Sequence, residues 1–387
     1  MNIYDKDLSK CIGCNNCANI CTKGAIILEE NQDGFIYPKI DLNKCTNCGM
    51  CIKKCPIDQQ NPSFKFTPKI KIIKAKNSET LFAGSSGGFF PTIAQYLLNN
   101  GWIVYGAIYD NIQKKVIHVN TENTPLHLIC RSKYTQSYLN DSFKQIRSLL
   151  KTGKEILFVG TPCQVAALYL YIGERPQNLI TLDFICHGVA SSGYFTKMIE
   201  HWQKEQNKNI TNITFREKLL GWRHQVMKAT FDDSTYAIKD YSSNYYYYAF
   251  THNYSIRKCC FKCNFPRRHQ ADISMGDAWH KKDKEDTGLS IISINTLKGE
   301  KLFASTKNQF NIEDDSIDSW NINDAYHNYN PKKYDIFFKQ YKRMNIEDLN
   351  KWLNKKQHIE KYIDHTRVLL GKFKQKLIHL ISSFLSL

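Results

Sequence analysis

Two runs of cysteine near the start of the chain constrain its fold more than any other feature. Cys11, Cys14, Cys17 and Cys21 follow C-x2-C-x2-C-x3-C; Cys45, Cys48, Cys51 and Cys55 repeat the spacing, and Pro56 completes the C-P ending. Three thiolates on one tight loop reach three irons of a cube, and the fourth ligand comes from the other run, because the chain has by then turned into a short helix. The spacing therefore assigns Cys11, Cys14, Cys17 and Cys55 to one [4Fe–4S] cluster, and Cys45, Cys48, Cys51 and Cys21 to a second. Gly13 and Gly49 suit loops whose backbone N–H groups approach the sulfurs, which raises the reduction potential. Thr22 stands where proline would usually follow the first run; it alters the turn and removes no ligand. Zinc sites use four ligands, usually as separated C-x2-C pairs, and do not explain two runs of four.

This is the two-cluster bacterial ferredoxin pattern, and it implies a pseudo-two-fold domain. Residues 34–38, Gly-Phe-Ile-Tyr-Pro, read as its hairpin return, and the stretch after Pro56, with Pro62 and Pro68, reads as a linker. The chain has 387 residues, enough for two or three domains. No run of about eighteen apolar residues is present, so no transmembrane helix is expected. The first residues lack the basic-then-apolar form of a secretory signal. Fourteen cysteines without an export signal point to metal and redox use in a reducing cytoplasm rather than to disulfides. The formal charge of +17 falls when clusters are bound. Each oxidised cubane with its four thiolates carries a net charge of about −2, so two or three clusters remove roughly four to six units. The remaining lysines are scattered, as on a solvated surface; an acidic electron donor, an anionic substrate or a membrane surface are the sharper readings. No nucleic-acid reader motif is present.

From about residue 70 the pattern becomes mixed α/β. Residues 102–109, 156–159 and 179–185 read as buried strands, and 91–98, 142–150, 163–171 and 193–202 as helices. Residues 213–216, 224–231 and 289–294 add further strands, so the sheet is expected to be mixed rather than purely doubly wound. Three segments join an extended stretch to a helix: Gly84-Ser85-Ser86-Gly87-Gly88, Gly160-Thr161-Pro162-Cys163-Gln164, and Cys186-His187-Gly188-Val189-Ala190-Ser191-Ser192. Loops at the carboxyl ends of neighbouring strands face one crevice, where cofactors sit. A Gly/Ser loop before a helix suits an anion, and serves equally as a plain cap and turn. Neither a dinucleotide fingerprint nor a Walker loop is present. Cys163 and Cys186 sit on two of these loops and Cys260 and Cys263 form a C-x2-C pair, so four thiolates from three loops could hold a third cluster beside the crevice, with zinc as the rival metal and Cys259 as an alternative to Cys260. Cys130 reads as a small buried hydrophobe.

With these residues assembled, the chain resembles the beta subunits of coenzyme F-420 hydrogenases and dehydrogenases, including their bacterial relatives. The resemblance rests on Ser86-Gly87-Gly88, on residues 131–137 and 160–164, on Phe184-Ile185-Cys186-His187-Gly188, on residues 215–218 with Gly221-Trp222, and on Cys260-Phe261-Lys262-Cys263 leading to residues 271–279. It extends to about residue 320 and implies three parts: a [4Fe–4S] ferredoxin-type domain (1–66), a mixed-sheet FAD-binding oxidoreductase domain (67–315) and a helical C-terminal extension (316–387). It further implies FAD lined by Ser86, Gly87, Gly88, Ser132, Lys133, Tyr134, Thr161 and Gln164, with a proximal cluster on Cys163, Cys186, Cys260 and Cys263. Lys133 would then neutralise a flavin pyrophosphate or reduced ring; outside the motif it would read as a solvated lysine. His187 is the candidate proton donor, set against the role of a structural histidine.

The expected function is an iron–sulfur flavoprotein oxidoreductase acting on a small substrate, its flavin converting between one-electron clusters and a two-electron reaction. The alternative is a non-catalytic electron-transfer subunit that serves a partner enzyme. Expected partners are a ferredoxin or a reduced coenzyme. Bacterial relatives are often linked to surface-polysaccharide biosynthesis, an association without a geometric basis. Toward the C-terminus, Trp320 and Pro331 read as loop, and residues 334–342 and 346–356 as helix. Leu369, Leu370, Phe373, Leu377, Leu380, Ile381, Phe384 and Leu385 share one helical face, which would dock on the protein itself or lie on the inner membrane surface. The four tyrosines at 245–248 read as helical core.

Overall fold

In the computed structural model, residues 1–57, 66–224, 226–240, 242–265, 269–323 and 330–362 are described. The N-terminal part forms around the cysteine loops. Each loop passes through a left-handed residue pair, with Gly13 at φ +69° and Asn15 at +63° in one, and Asn47 at +52° and Gly49 at +74° in the other. Each then enters a short helix, Asn16–Ile20 and Met50–Lys53. The expected hairpin is present: Ile26–Glu30 pairs antiparallel with Ile36–Ile40. Ile3, Ile26, Ile40 and Ile57 close a small core around Cys17, Cys51 and Cys55.

The body is built on a nine-stranded mixed sheet in the order Phe310–Asp314, Lys69–Ala75, Ser290–Ile294, Ile273–Asp277, Leu179–Phe184, Ile156–Val159, Ile103–Asp110, Lys115–Asn120, Ser137–Tyr138. Ile273–Asp277, Leu179–Phe184, Ile156–Val159 and Ile103–Asp110 run parallel at its centre, and antiparallel strands flank them. Ile156–Val159, at the centre, is an unbroken apolar run because both its faces are covered. Helix Phe89–Asn99 lays Phe89, Ile93 and Leu97 against Leu157 and Leu182 on one face. On the other face Phe143, Ile146, Val165 and Leu168 pack on Ile156 and Phe158. Burying one such side chain contributes about 1.5–3 kcal/mol.

A three-stranded antiparallel sheet, Ile210–Glu217, Val226–Phe231 and Tyr236–Lys239, carries a separate aromatic core. Helices Ser192–Gln206 and Tyr245–Thr251 pack into it, and Tyr246, Tyr247 and Tyr248 are buried there, as the tyrosine run led us to expect. The C-terminal helices join the same core. Tyr334, Phe337, Phe338 and Tyr341 of helix Pro331–Tyr341, with Leu349 and Leu353 of the helical residues 346–362, surround Phe35 of the N-terminal hairpin. The Phe35 and Phe338 ring centroids are 5.7 Å apart, and the Tyr334 hydroxyl donates to Asp33 Oδ2 at 2.5 Å. Residues 331–353 thus pack against both the N-terminal hairpin and the body.

Two expectations need correcting. Trp320 lies in helix Ile317–Asn323 rather than a loop, and is buried against Ile70, Ile72, Ala278 and Ile291. Pro331 opens a helix: it sits at the first helical position, where its missing N–H costs nothing. Strands Lys69–Ala75, Lys115–Asn120, Ile273–Asp277 and Phe310–Asp314 were not expected as strands. The proline linker at 58–65 and the amphipathic stretch beyond residue 362 lie outside the described residues. Among the described residues no helix is long and apolar enough to cross a membrane.

Candidate cluster and cofactor sites

The N-terminal thiols crowd as the spacing demands. Burial pushes the Cys14 thiol well up, and the charges of Cys17, Cys11 and Cys55 add to the shift. Burial likewise raises Cys17, followed by Cys11 and Cys55. Those four residues are the set derived for the first cluster, with Cys55 supplied by the far run. Four such thiolates repel one another in a low dielectric unless cations lie between them, which is the condition a cubane meets. The Gly13 N–H donates to Cys11 Sγ at 3.4 Å, and the Ala25 N–H to Cys21 Sγ at 3.3 Å. Cys51 is raised by burial and by its neighbour Cys48, whereas the exposed Cys48 is lowered by the Met50 N–H. Cys21 and Cys45 pack on the same small core as Cys51. Among the described residues no three His, Cys, Asp or Glu side chains converge tightly enough for a single metal ion.

A second thiol group forms in the body. Strands Ile156–Val159 and Leu179–Phe184 are parallel neighbours, so the loops leaving their carboxyl ends bring Cys163 and Cys186 to one edge of the sheet. Cys259 and Cys260 arrive from the turn Lys258–Lys262 and Cys263 from its C-terminal cap, and all five cysteines line one cavity of about 460 Å³. Burial, then the nearby Cys263 and Cys186, push the Cys163 thiol well up. Cys163 is the second residue of helix Pro162–Ile172, behind a capping box in which the Gln164 N–H donates to Thr161 Oγ1 at 3.3 Å and the Thr161 N–H to Gln164 Oε1 at 2.9 Å. Cys259 and Cys260 share a hydrogen bond that holds the first down and the second up. A Cβ on Gly188 would stand 3.3 Å from Cys260 Cβ, so Cys260 packs directly on the Cys186 loop. Cys130 is buried away from both groups, as expected of a small hydrophobe.

The same cavity is lined by Ser86, Gly88, Ser132, Lys133, Tyr134, Thr161, Gln164 and His187. Gly87 lies one layer behind: its N–H donates to Ser290 Oγ at 2.8 Å, and a Cβ there would meet the Ile73 carbonyl oxygen at 2.4 Å. The turn is stitched in place by the Ser132 N–H, donating to Ser85 Oγ at 2.9 Å, and by Lys218 Nζ, donating to Ser86 O at 2.5 Å and Leu81 O at 2.8 Å. Helices Phe89–Asn99 and Pro162–Ile172 both direct their N-termini to the cavity wall, which also carries Arg131, Lys133, Arg216 and Arg257 against Asp277. This field suits an anion. Lys133 does not aim its ammonium into that field. Its Nζ donates to the carbonyls of Leu128, Ile129, Cys130 and Arg131 at 2.5–3.1 Å, closing the end of helix Leu126–Ile129, and burial lowers its pKa to about 7. Tyr134 stacks on Phe250 at 5.1 Å and meets Tyr247 edge-on, and His187 meets Phe250 edge-on at 5.0 Å.

Two buried arginines at the cavity drew no role from sequence. Arg216 Nη1 lies 3.0 Å from Asp277 Oδ2 and donates to the Tyr134 hydroxyl at 3.2 Å, while Trp222 Nε1 donates to Asp277 Oδ1 at 2.9 Å. Arg216, Trp222 and Asp277 stood in the stretches that carry the resemblance, so the signal was present without a pairing. Arg257 precedes the C-x2-C pair and matched no motif.

Comparison with known proteins bears on the N-terminal part and the body separately. Residues 10–58 match the 4Fe-4S dicluster domain. An uncharacterized ferredoxin of Methanocaldococcus jannaschii is 33% identical over 73 residues, 19% of this chain and 83% of that protein. One component of the Na(+)-translocating ferredoxin:NAD(+) oxidoreductase complex of Acetobacterium woodii is 44% identical over 46 residues, 12% of this chain and 13% of its own length. Pyruvate synthase subunit PorD of M. jannaschii is 38% identical over 52 residues, 13% of this chain and 56% of its own. A chain in a solved structure of the F420-reducing [NiFe] hydrogenase complex from Methanosarcina barkeri aligns over 76% of this chain and 91% of its own, with a TM-score of 0.45 and 15% identity. Residues 153–319 match the C-terminal part of the coenzyme F420 hydrogenase/dehydrogenase beta subunit, so the chain carries a domain of that family behind a 4Fe-4S dicluster domain at residues 10–58.

Proposed function

We propose that this chain is an iron–sulfur flavoprotein oxidoreductase that passes electrons between three [4Fe–4S] clusters and an FAD, and so reduces or oxidises a small substrate. One observation carries the reading: five cysteines from three loops open into the same cavity as two helix N-termini and seven of the eight residues expected to line FAD. The first cluster takes Cys11, Cys14, Cys17 and Cys55, the second Cys45, Cys48, Cys51 and Cys21, and the proximal cluster Cys163, Cys186, Cys260 and Cys263. A bound flavin supplies the exchange between one-electron and two-electron chemistry.

The chain's own residues do the remaining work. The helix N-termini answer the charge of a pyrophosphate, Arg131 paired with Glu217 and Arg216 paired with Asp277 shape the wall beside them, and Lys133 keeps the 128–131 turn in shape behind Ser132 and Tyr134. Phe89, Phe90, Val116 and Ile129 wall the cavity and exclude water. His187, which lines the cavity on the loop beside Cys186, is our candidate to carry a proton to substrate. We place this chemistry in the reducing cytoplasm, where thiolate ligation persists. The setting in surface-polysaccharide biosynthesis is proposed on the resemblance alone.

The names of the relatives favour a second reading. Two belong to larger redox enzymes, which suits a flavin-free adaptor that feeds a partner. Anaerobic purification with iron and flavin quantified separates the two. About twelve irons and one FAD per chain support the flavoprotein; about eight irons without flavin leave the adaptor standing.

A further inference from the structure

Arg257 joins the two cysteine groups without being a ligand of either. Its side chain is fully buried, and a buried guanidinium must have its donors satisfied and its charge answered. Nε donates to Cys11 O at 2.6 Å, Nη2 to Ile36 O at 2.8 Å and Nη1 to Gln136 Oε1 at 2.9 Å. The guanidinium also lies over the Tyr37 ring, 4.2 Å from its centroid. These partners are neutral, and the Cys259 thiol shares a further hydrogen bond with the arginine. Burial opposes the charge, and what overcomes it is the negative potential of Cys11, Cys259 and Cys260, with Tyr37.

At its backbone the same residue holds the other group. The Arg257 N–H donates to Val189 O at 2.9 Å, in the loop that follows Cys186, and its carbonyl accepts from the Cys260 N–H at 2.9 Å. Two hydrogen bonds and one arginine side chain therefore lead from Cys260 to Cys11. The loop between Cys11 and Cys14 is shaped around this bridge: a Cβ on Gly13 would stand 2.2 Å from Gln136 Nε2 and 3.3 Å from Arg257 Nη1.

We propose that Arg257 is the positioning and tuning residue between the first N-terminal cluster and the cysteine group at the cavity, its buried cation favouring the reduced state of both and its bonds forming a connected route between them. The inference rests on the cluster assignment proposed above. The step it serves moves one electron: one cluster is oxidised by one unit, the other is reduced by one unit, and no proton or covalent bond changes. Each reduction adds negative charge beside a fixed cation in a low dielectric, where the attraction is far stronger than in water.

The test uses the full chain, purified anaerobically as wild type, Arg257→Gln, Arg257→Lys and Gln136→Glu, with iron counted and each cluster titrated potentiometrically by EPR. Arg257→Gln removes the charge. Gln136→Glu keeps the arginine and pairs it with a carboxylate, which cancels its field. Both should make reduction of these two clusters at least about tenfold less favourable, about 59 mV for one electron, and leave the cluster on Cys45, Cys48, Cys51 and Cys21 less affected. Arg257→Lys keeps the charge and should stay within that tenfold. Unmoved potentials in Gln136→Glu with full iron overturn the inference, and they do so even if Arg257→Gln fails to load iron. Wild-type protein holding only about eight irons instead refutes the cluster assignment, and the inference falls with it.

Discussion

Two glycines of the N-terminal domain separate backbone strain from interface packing. Both Gly24 and Gly34 are left-handed, at φ +57° and +76°. A Cβ on Gly24 meets nothing within 4 Å, whereas on Gly34 it would stand 2.4 Å from Ser191 Oγ, 2.7 Å from Gly193 Cα and 2.8 Å from Gly193 N. The Gly34 carbonyl also accepts from the Gly193 N–H at 3.0 Å and from Ser192 Oγ at 2.8 Å, so the hairpin tip is pinned to the start of helix Ser192–Gln206. Gly24→Ala should cost only the left-handed penalty of about 1–2 kcal/mol. Gly34→Ala adds about 1–3 kcal/mol of overpacking against backbone that has nowhere to move, for a total of about 2–5 kcal/mol. Urea unfolding followed by tryptophan fluorescence, with visible absorbance reporting the clusters, would show Gly34→Ala opening at lower denaturant than Gly24→Ala. Limited proteolysis should release its N-terminal domain first. Equal losses in the two variants would refute the docking geometry.

Removing one thiol of the cavity group should remove one cluster: Cys163→Ser is expected to lower iron by about four per chain and spare the N-terminal clusters, while Cys130→Ser leaves the iron count unchanged in the same assay. His118 gives a pH signature. Burial lowers its pKa to about 4, while Nε2 lies 3.2 Å from Val159 O. The unfolded imidazole takes its proton near pH 6.5, so the unfolded state binds more protons between those values, and stability is lost as pH falls from 6.5 toward 4. At about 1.4 kcal/mol per pH unit the loss reaches about 3 kcal/mol. His118→Gln should flatten the difference in denaturant midpoint between pH 7 and pH 4.5 relative to wild type; an unchanged difference refutes the assignment.

What could be read from sequence was what is local. The cysteine runs fix their own ligation pattern within a few residues, and residues 156–159 announce a doubly covered strand through an unbroken apolar run. Strand Lys69–Ala75 carries a period-2 signal in its alternating lysines and isoleucines that went unread, and its pairing was not legible because the partners lie far along the chain: Lys71 pairs with Asp314, and Lys74 with Asp283 and Glu285. Trp320 was misread for a similar reason, since Ile70, Ile72 and Ile291 bury it from distant strands. At the sites, motif glycines, serines and cysteines marked the cavity, but the direction of the Lys133 ammonium depends on a helix end that only folding supplies. Arg257 had no local signature, because Cys11, Ile36 and Gln136 meet only in three dimensions.

The aromatic clasp between hairpin and C-terminal helices also sets a clock on biosynthesis. Tyr334 lies 301 residues beyond the Asp33 it bonds. At roughly 5–20 residues per second, a ribosome needs on the order of 15–60 s to deliver that half of the clasp. The Gly34 contacts with Ser192 and Gly193 can form earlier in this interval, but the cover that Tyr334 and Phe338 give Phe35 cannot. The N-terminal hairpin therefore reaches its full cover only when the last helices of the chain have been made.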